Sequence, residues 1–297
     1  MSVTSITSVL TDPGFRLPLG DWVDAGVDGL IATFGGLFDL IRTVLIGGFE
    51  AVETVLITPP MWIVALVLAG LAYLAKGWRL ALGALIGFLV VQGVDQWGNA
   101  MASLALVLVA SAIALAIGIP MGIWAASSDR VSAAVRPVLD FMQTMPAFVY
   151  LIPVVIIFSV GPVPGLVATI VFALAPGVRF TELGIRQVDQ EVVEAGHAFG
   201  STPRRILRQI QLPLALPTIM AGVNQVIMLS LSMVVISGLV GAAGLGRDVV
   251  SALSRVNVSL GFEAGLAVVI LAMYLDRITS ALADRSPVAK ALRTTSA

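Results

Sequence analysis

The most specific spacing in this chain is that of Glu194-Ala195-Gly196-His197-Ala198-Phe199-Gly200, followed after nine further residues by Ile210-Gln211-Leu212-Pro213. This is a polar stretch between two strongly apolar ones, and it can be gripped from water. Its chemistry is docking, not bond making. Glu191, Glu194, Ala195 and Ala198 fit a short helix, which Gly200-Ser201-Thr202-Pro203 stops. Ser201 or Thr202 is placed to cap the next helix, with Pro203 in its first turn. Small Ala195, Gly196 and Ala198 would let a partner approach closely, while Glu194 would bind a donor on that partner or brace the loop internally. Arg204, Arg205 and Arg208 follow. His197, the only histidine, reads as an interface or surface residue.

Bond-making chemistry has no constellation to support it. There is no cysteine and one histidine, which removes thiolate nucleophiles, Cys-ligated metals and multi-His metal sites. An intramembrane enzyme would need Ser/His, paired Asp or His-Glu-x-x-His within apolar segments, and none is present. Gly-x-x-x-x-Gly-Lys-Ser/Thr is absent as well, so ATP and its Mg belong to a separate polypeptide, and this chain is expected to bind no cofactor. Polar uncharged groups do occur in apolar stretches: Gln143 and Thr144 before Met145-Pro146, then Asn224, Gln225, Ser230, Ser232 and Ser237. Asn224, Met228 and Leu231 share a helical face. Two readings stand. Such groups hydrogen-bond between helices, or Gln143, Thr144, Asn224, Gln225, Met228 and Ser232 line a pathway for a small polar solute.

These residues must be positioned by membrane-embedded helices. The 297 residues are 58% hydrophobic and only 12% charged, with a mean hydropathy of +1.00, whereas a soluble domain carries about 25% charge. The formal charge of -1 gives no basic surface for nucleic acid. Apolar blocks at about 60–76, 78–94, 97–126, 137–160, 163–181, 214–240 and 262–283 predict seven spans. The first two form a hairpin turning at Lys76, Gly77 and Arg79, and 161–165 is a tight Pro/Gly turn between the fourth and fifth. Pro146, Pro153, Pro176 and Pro217 mark kinks. Asp95, Asp140, Arg179, Glu182, Glu263 and Asp276 all fall near block ends, leaving the middles almost free of charge. That argues against proton coupling and, less strongly, against sodium coupling.

Residues 1–58 differ in kind. Asp21, Asp24, Asp28, Asp39, Arg42, Glu50 and Glu53 line one stripe of an otherwise apolar helix, which predicts a helix lying in the membrane interface, breakable at Gly47-Gly48. An eighth span is the other reading. Thirteen of the 17 Lys and Arg residues fall in four regions on one side of the seven spans: Lys76 and Arg79; Arg130 and Arg136; Arg179, Arg186, Arg204, Arg205 and Arg208; Arg277, Arg285, Lys290 and Arg293. That side is the cytoplasm, with the N-terminus outside and the C-terminus inside. Arg247, Asp248, Arg255 and Glu263 then lie in an outer loop, as docking candidates for an external protein or as plain solvated charge.

The 194–213 pattern resembles the "EAA" loop of the membrane-spanning subunits of bacterial binding-protein-dependent ABC importers, with Gly196 in place of the usual third Ala. Residues 143–153 (Gln-Thr-Met-Pro-Ala-Phe-Val-Tyr-Leu-Ile-Pro), residues 212–225, Ser232-Met233-Val234-Val235-Ile236 and Gly244-Leu245-Gly246 resemble the permeases for glycine betaine, proline betaine and choline. The resemblance implies an all-α integral membrane protein with the type I ABC importer fold. Its parts would be a tail and interfacial helix at 1–58, an accessory hairpin at 59–94, a permease core at 95–283 with the coupling loop at 182–213, and a cytoplasmic tail at 284–297. It also implies a homodimer, two ATPase subunits, an extracytoplasmic substrate-binding protein, and a place in the bacterial inner membrane. Glu194, Ala195, Gly196, His197, Gly200, Arg204 and Arg205 would form the loop that docks on the ATPase. A permease for another small solute, such as an amino acid, fits the same residues. A purely structural membrane scaffold would lack a co-purifying ATPase.

Overall fold

Backbone N–H and C=O groups find no water in hydrocarbon, so apolar segments of this length satisfy them internally, as helices. The computed structural model describes residues 17–284. The first 16 residues and the tail from 285, with Arg285, Lys290 and Arg293, lie outside the described residues. The described elements are α1 (Leu19–Ile57), α2 (Met61–Lys76), α3 (Trp78–Gly93), α4 (Trp97–Ser127), α5 (Asp129–Thr144), α6 (Ala147–Phe158), α7 (Pro162–Arg186), α8 (Gln190–Ala198), α9 (Pro203–Ile206), α10 (Leu212–Leu239), α11 (Leu245–Ser254) and α12 (Val258–Asp284). A π-helical turn, Leu207–Gln211, joins α9 to α10.

The seven blocks do not become seven equal spans. Among the described residues, five helical stretches are long and apolar enough to cross a bilayer: α1, α4, α7, the run Pro203–Leu239, and α12. The hairpin helices α2 and α3 have 16 residues each. At 1.5 Å per residue that is about 24 Å, short of a ~30 Å hydrocarbon core. The block at 137–160 is broken: α5 and α6 meet at an angle of 96°, and only as a bent pair do they count as a sixth crossing. Met145 and Pro146 are extended at the break, because Pro146 disfavours a helical residue before it. Pro153, Pro176 and Pro217 instead sit within α6, α7 and α10.

Two smaller expectations also shift. The turn between the fourth and fifth blocks lies at Ser159 (φ 63°) and Gly161 (φ 146°), while Pro162, Pro164 and Gly165 already belong to the first turn of α7. Proline at the start of a helix lacks only an N–H that would be unpaired there. In α1 the non-helical residue is Phe34 (φ −116°), beside Gly35-Gly36, and Gly47-Gly48 stays helical. Contacts divide the chain into two units between Arg42 and Thr43.

Within the larger unit, α7 packs between α4 and α10. Small residues set these distances. A methyl at Gly122 would lie 2.6 Å from Thr181 Cβ, and one at Gly222 would lie 2.5 Å from Phe180 Cβ. Close approach through glycine is how helices associate when lipid removes the hydrophobic drive between them. α12 closes the side against α10, α2 and α3, where the buried Tyr274 hydroxyl donates to Leu68 O (3.0 Å) and its ring meets Phe88 edge-on.

Candidate functional site

The short helix and its stop expected over residues 191–203 form, but the expected Ser201 or Thr202 cap does not. α8 starts on Asp189, whose Oδ1 accepts from the Glu191 N–H (2.9 Å). It stops at Gly200, in the left-handed region at φ 74°, with the Ser201 N–H reaching back to Gly196 O (3.1 Å). Thr202 holds the N-cap position of α9 and Pro203 its first turn, but no side chain caps that helix; Pro203 has no N–H to satisfy, and Ser201 and Thr202 make no bond there.

The segment sits on the ends of α4, α7 and α10. Ile185, Val188, Ala215 and Ile219 form a buried cluster to which Ile123, Val193, Leu207 and Leu212 add. Gly196 corrects an expectation. It is buried, and a Cβ there would stand 2.8 Å from Ile210 Cδ1 and 3.3 Å from Ile206 Cγ1. Its smallness admits the chain's own π turn, not an outside partner. Glu194, Ala195, His197, Ala198 and Gly200 are exposed together on the remaining face, with Arg204, Arg205 and Arg208 beyond them. The sequence reading overlooked Phe199, which is 90% exposed at the tip. An aromatic directly before a helix-stopping glycine was the available signal.

The pathway candidates divide. Gln143 and Thr144 are exposed at the end of α5, just before the 96° elbow. Tyr150 of α6 clamps that elbow, its hydroxyl donating to Met142 O (2.9 Å) and Met145 O (3.1 Å). These carbonyls would otherwise be orphaned by the helix end. On α10, Gln225 and Ser232 are exposed and Met228 is half-buried, in one stripe. Asn224 turns the other way. Its amide donates to Asp276 Oδ1 (3.2 Å) and its Oδ1 accepts from Thr279, so it links α10 to α12. The interhelical reading describes it. α6, α7 and α10 meet in a cluster of Ala147 and Leu151, Ala168, and Met233.

At the opposite end, the docking candidates also divide. Asp248 accepts from Gln96 Nε2 (3.0 Å) and Asn99 Nδ2 (2.8 Å), and the Leu245 N–H donates to Ser103 Oγ (2.9 Å), pinning α11 to the start of α4. Arg247 and Arg255 are exposed, and Glu263 is half-buried beside Ser259.

A second charged group was not singled out. Glu182, near the end of α7, is buried at 6% exposure and accepts from Ser132 Oγ (2.6 Å) and Arg136 Nη2 (3.0 Å), with Arg186 Nε at 3.1 Å. The sequence signal was there: Asp129, Ser132, Arg136 and Asp140 share one face of α5. Among the described residues, no group of three or more His, Asp or Glu side chains is placed to hold a metal ion.

The family described as "Binding-protein-dependent transport system inner membrane component" matches residues 118–286, from the middle of α4 through α12 and including the whole coupling segment. The chain belongs to this family. It is a multi-pass membrane transport subunit. Over 269 residues it is 48% identical to the glycine betaine/carnitine transport permease protein of Listeria monocytogenes, covering 89% of this chain and 95% of that protein. It is 47% identical over 264 residues to the glycine betaine transport system permease protein of Bacillus subtilis, covering 89% and 94%. With the glycine betaine/proline betaine transport system permease protein of Escherichia coli it shares 42% identity over 266 residues, 90% of this chain and 75% of that one. The fold is that of a chain in inward-facing structures of the MetNI methionine ABC transporter, with a TM-score of 0.56 at 22% identity over 66% of this chain and 95% of that one. This family carries the type I importer fold expected for the chain.

Proposed function

We propose that this chain is the permease of an ATP-driven bacterial importer for glycine betaine, proline betaine or choline-type compatible solutes. The observation that carries the solute class is near-full-length identity of 42–48% to permeases whose names specify these betaines. The physical reading is compatible with it: exposed Gln143, Thr144, Gln225 and Ser232 offer amides and hydroxyls without fixed charge. A strong counter-charge would hold a zwitterion or cation too tightly, and transport needs binding weak enough to release.

In this reading two copies of the chain enclose the pathway and two separate ATPase subunits carry ATP and Mg. The exposed face of α8, with Glu194, Ala195, His197 and the Phe199 tip, seats on the ATPase, flanked by Arg204 and Arg205. A substrate-binding protein docks outside, near Arg247 and Arg255. ATP closes the ATPase pair and draws the two α8 helices together, the spans open outward to take the solute, and hydrolysis returns them inward. The N-terminus is outside, the C-terminus cytoplasmic, and the charged stripe of α1 lies along the membrane interface.

The test is reconstitution with the cognate ATPase and binding protein in liposomes. ATP-dependent uptake of labelled betaine or choline, competed by related quaternary amines, is the expected result. Uptake of a non-methylated amino acid, unaffected by any quaternary amine, would refute the solute class and leave the importer reading standing.

A further inference from the structure

α5 is an amphipathic helix broken at both ends, by extended Ser128 before it and by the elbow after it. Its polar face carries Asp129, Ser132, Arg136 and Asp140, at intervals of three, four and four residues. The end of α7 answers with Arg179, Glu182 and Arg186. Asp129 pairs with Arg186 (2.8 Å), Ser132 and Arg136 with Glu182 (2.6 and 3.0 Å), and Asp140 with Arg179. The order runs up one helix and down the other, so the two are joined by an antiparallel charged rail. Beneath it lies an apolar bed in which Leu139 of α5 is buried against Ala175 and Val178 of α7.

The pairs are unequal. Asp129 is 92% exposed and Asp140 63% exposed, and exposed pairs contribute little. The Glu182 side chain is 8% exposed, and a buried carboxylate stripped of its partners is costly. Glu182 therefore anchors the rail, and the outer pairs set its register. Sliding α5 by one turn, about 5.4 Å, would bring Asp140 opposite Glu182 in one direction or Arg136 opposite Arg179 in the other. Both are like-charge encounters, so the sign pattern resists slippage that the apolar bed alone would permit.

The ends of this rail are what matter. α7 passes through only residues 187–189 into α8, and Arg186 also donates to Ala125 O of α4 (2.9 Å). α5 passes directly into Gln143, Thr144 and the elbow clamped by Tyr150. We propose that the rail locks α5 to α7 as one body and hands movement of α8 to the elbow at 143–146, making Glu182, Arg179 and Asp140 positioning residues for energy coupling. The proposal rests on the reading that α8 seats on the ATPase.

The test uses the complete complex of permease, ATPase and binding protein in liposomes, reading ATP hydrolysed per solute taken up. In R179D, Asp140 meets a second carboxylate, and the ratio is expected to rise about threefold, in keeping with the modest worth of an exposed pair. The swap D140R/R179D restores the opposite signs and is expected to recover most of the wild-type ratio, which a merely structural loss would not do. E182Q, which keeps a hydrogen-bonding oxygen but loses the charge, is expected to uncouple at least as strongly. If E182Q does not assemble, the swap pair decides. A wild-type ratio in R179D, or an assembled swap variant no better coupled than R179D, overturns the rail. Failure of the wild-type chain to bind any ATPase would instead overturn the reading of α8, and the rail would then have nothing to transmit.

Discussion

At the scale of single residues, α8 and its tip separate what packs on the chain from what is exposed. Gly196 and Phe199 stand three residues apart and do opposite things. Gly196 lets α8 lie on the π turn, where Ile210 Cδ1 would be 2.8 Å from any added Cβ. Leucine there must lift α8 off its bed, so Gly196→Leu is expected to lower thermal stability by about 1–3 kcal/mol and to lose the ATPase in co-purification. Phe199 touches little within the chain and is 90% exposed. Phe199→Ala is expected to leave the melting temperature in detergent unchanged while weakening ATPase association at least about tenfold, as truncation of an aromatic anchor does. Equal melting losses in the two variants would deny Phe199 a docking role. Asn224 and Gln225 show the same division on α10, since one amide bonds α12 and its neighbour is exposed.

At the scale of elements, the break between α5 and α6 is the least regular piece of the permease core. Pro146 removes a donor and disfavours a helical residue before it. The 96° bend that results would leave carbonyls of the last turn of α5 unpaired without Tyr150. Tyr150→Phe keeps the ring in its cluster with Leu151 and Met233 and deletes only the hydroxyl. The expected cost is about 1 kcal/mol, read as a lower melting temperature, together with reduced uptake at unchanged ATPase assembly. A variant with wild-type melting and uptake would show that the proline alone holds the elbow.

At the scale of the whole molecule, the two ends of the core are chemically different. One end gathers Arg136, Arg186 and the arginines of 204–208 around α8. The other gathers Gln96, Asn99 and Asp248, fringed by Leu253, Val256, Val258 and Phe262 at 70–85% exposure. If the basic end is cytoplasmic, a cysteine replacing Ser254 should react with an impermeant thiol reagent in intact cells, and one replacing Ser201 only after permeabilisation. The native chain has no cysteine to confuse the signal. Labelling of Ser201→Cys from outside would invert the topology. Adding Ser5→Cys separates the two readings of α1, because protection there in intact cells would favour a further span.

The sequence by itself determined the class of this protein. Hydropathy demanded helices, because lipid leaves backbone groups no other partner, and the order and ends of α4, α7, α10 and α12 followed closely from block boundaries. It also determined the local form of residues 191–203, because stopping and spacing are local along the chain: the short helix, the Gly200 stop and the Pro203 restart were legible, while the Asp189 cap was not. What faces what was decided only by the tertiary structure. Gly196 and Asn224 carry the same chemistry whether they meet a partner or the chain itself, and only the position of Ile210 or Asp276 tells which. The charged faces of α5 and α7 lie some 50 residues apart along the chain, Ser132 and Glu182 being separated by that distance. Period and composition give each stripe, but only packing on a common apolar bed brings the two into register.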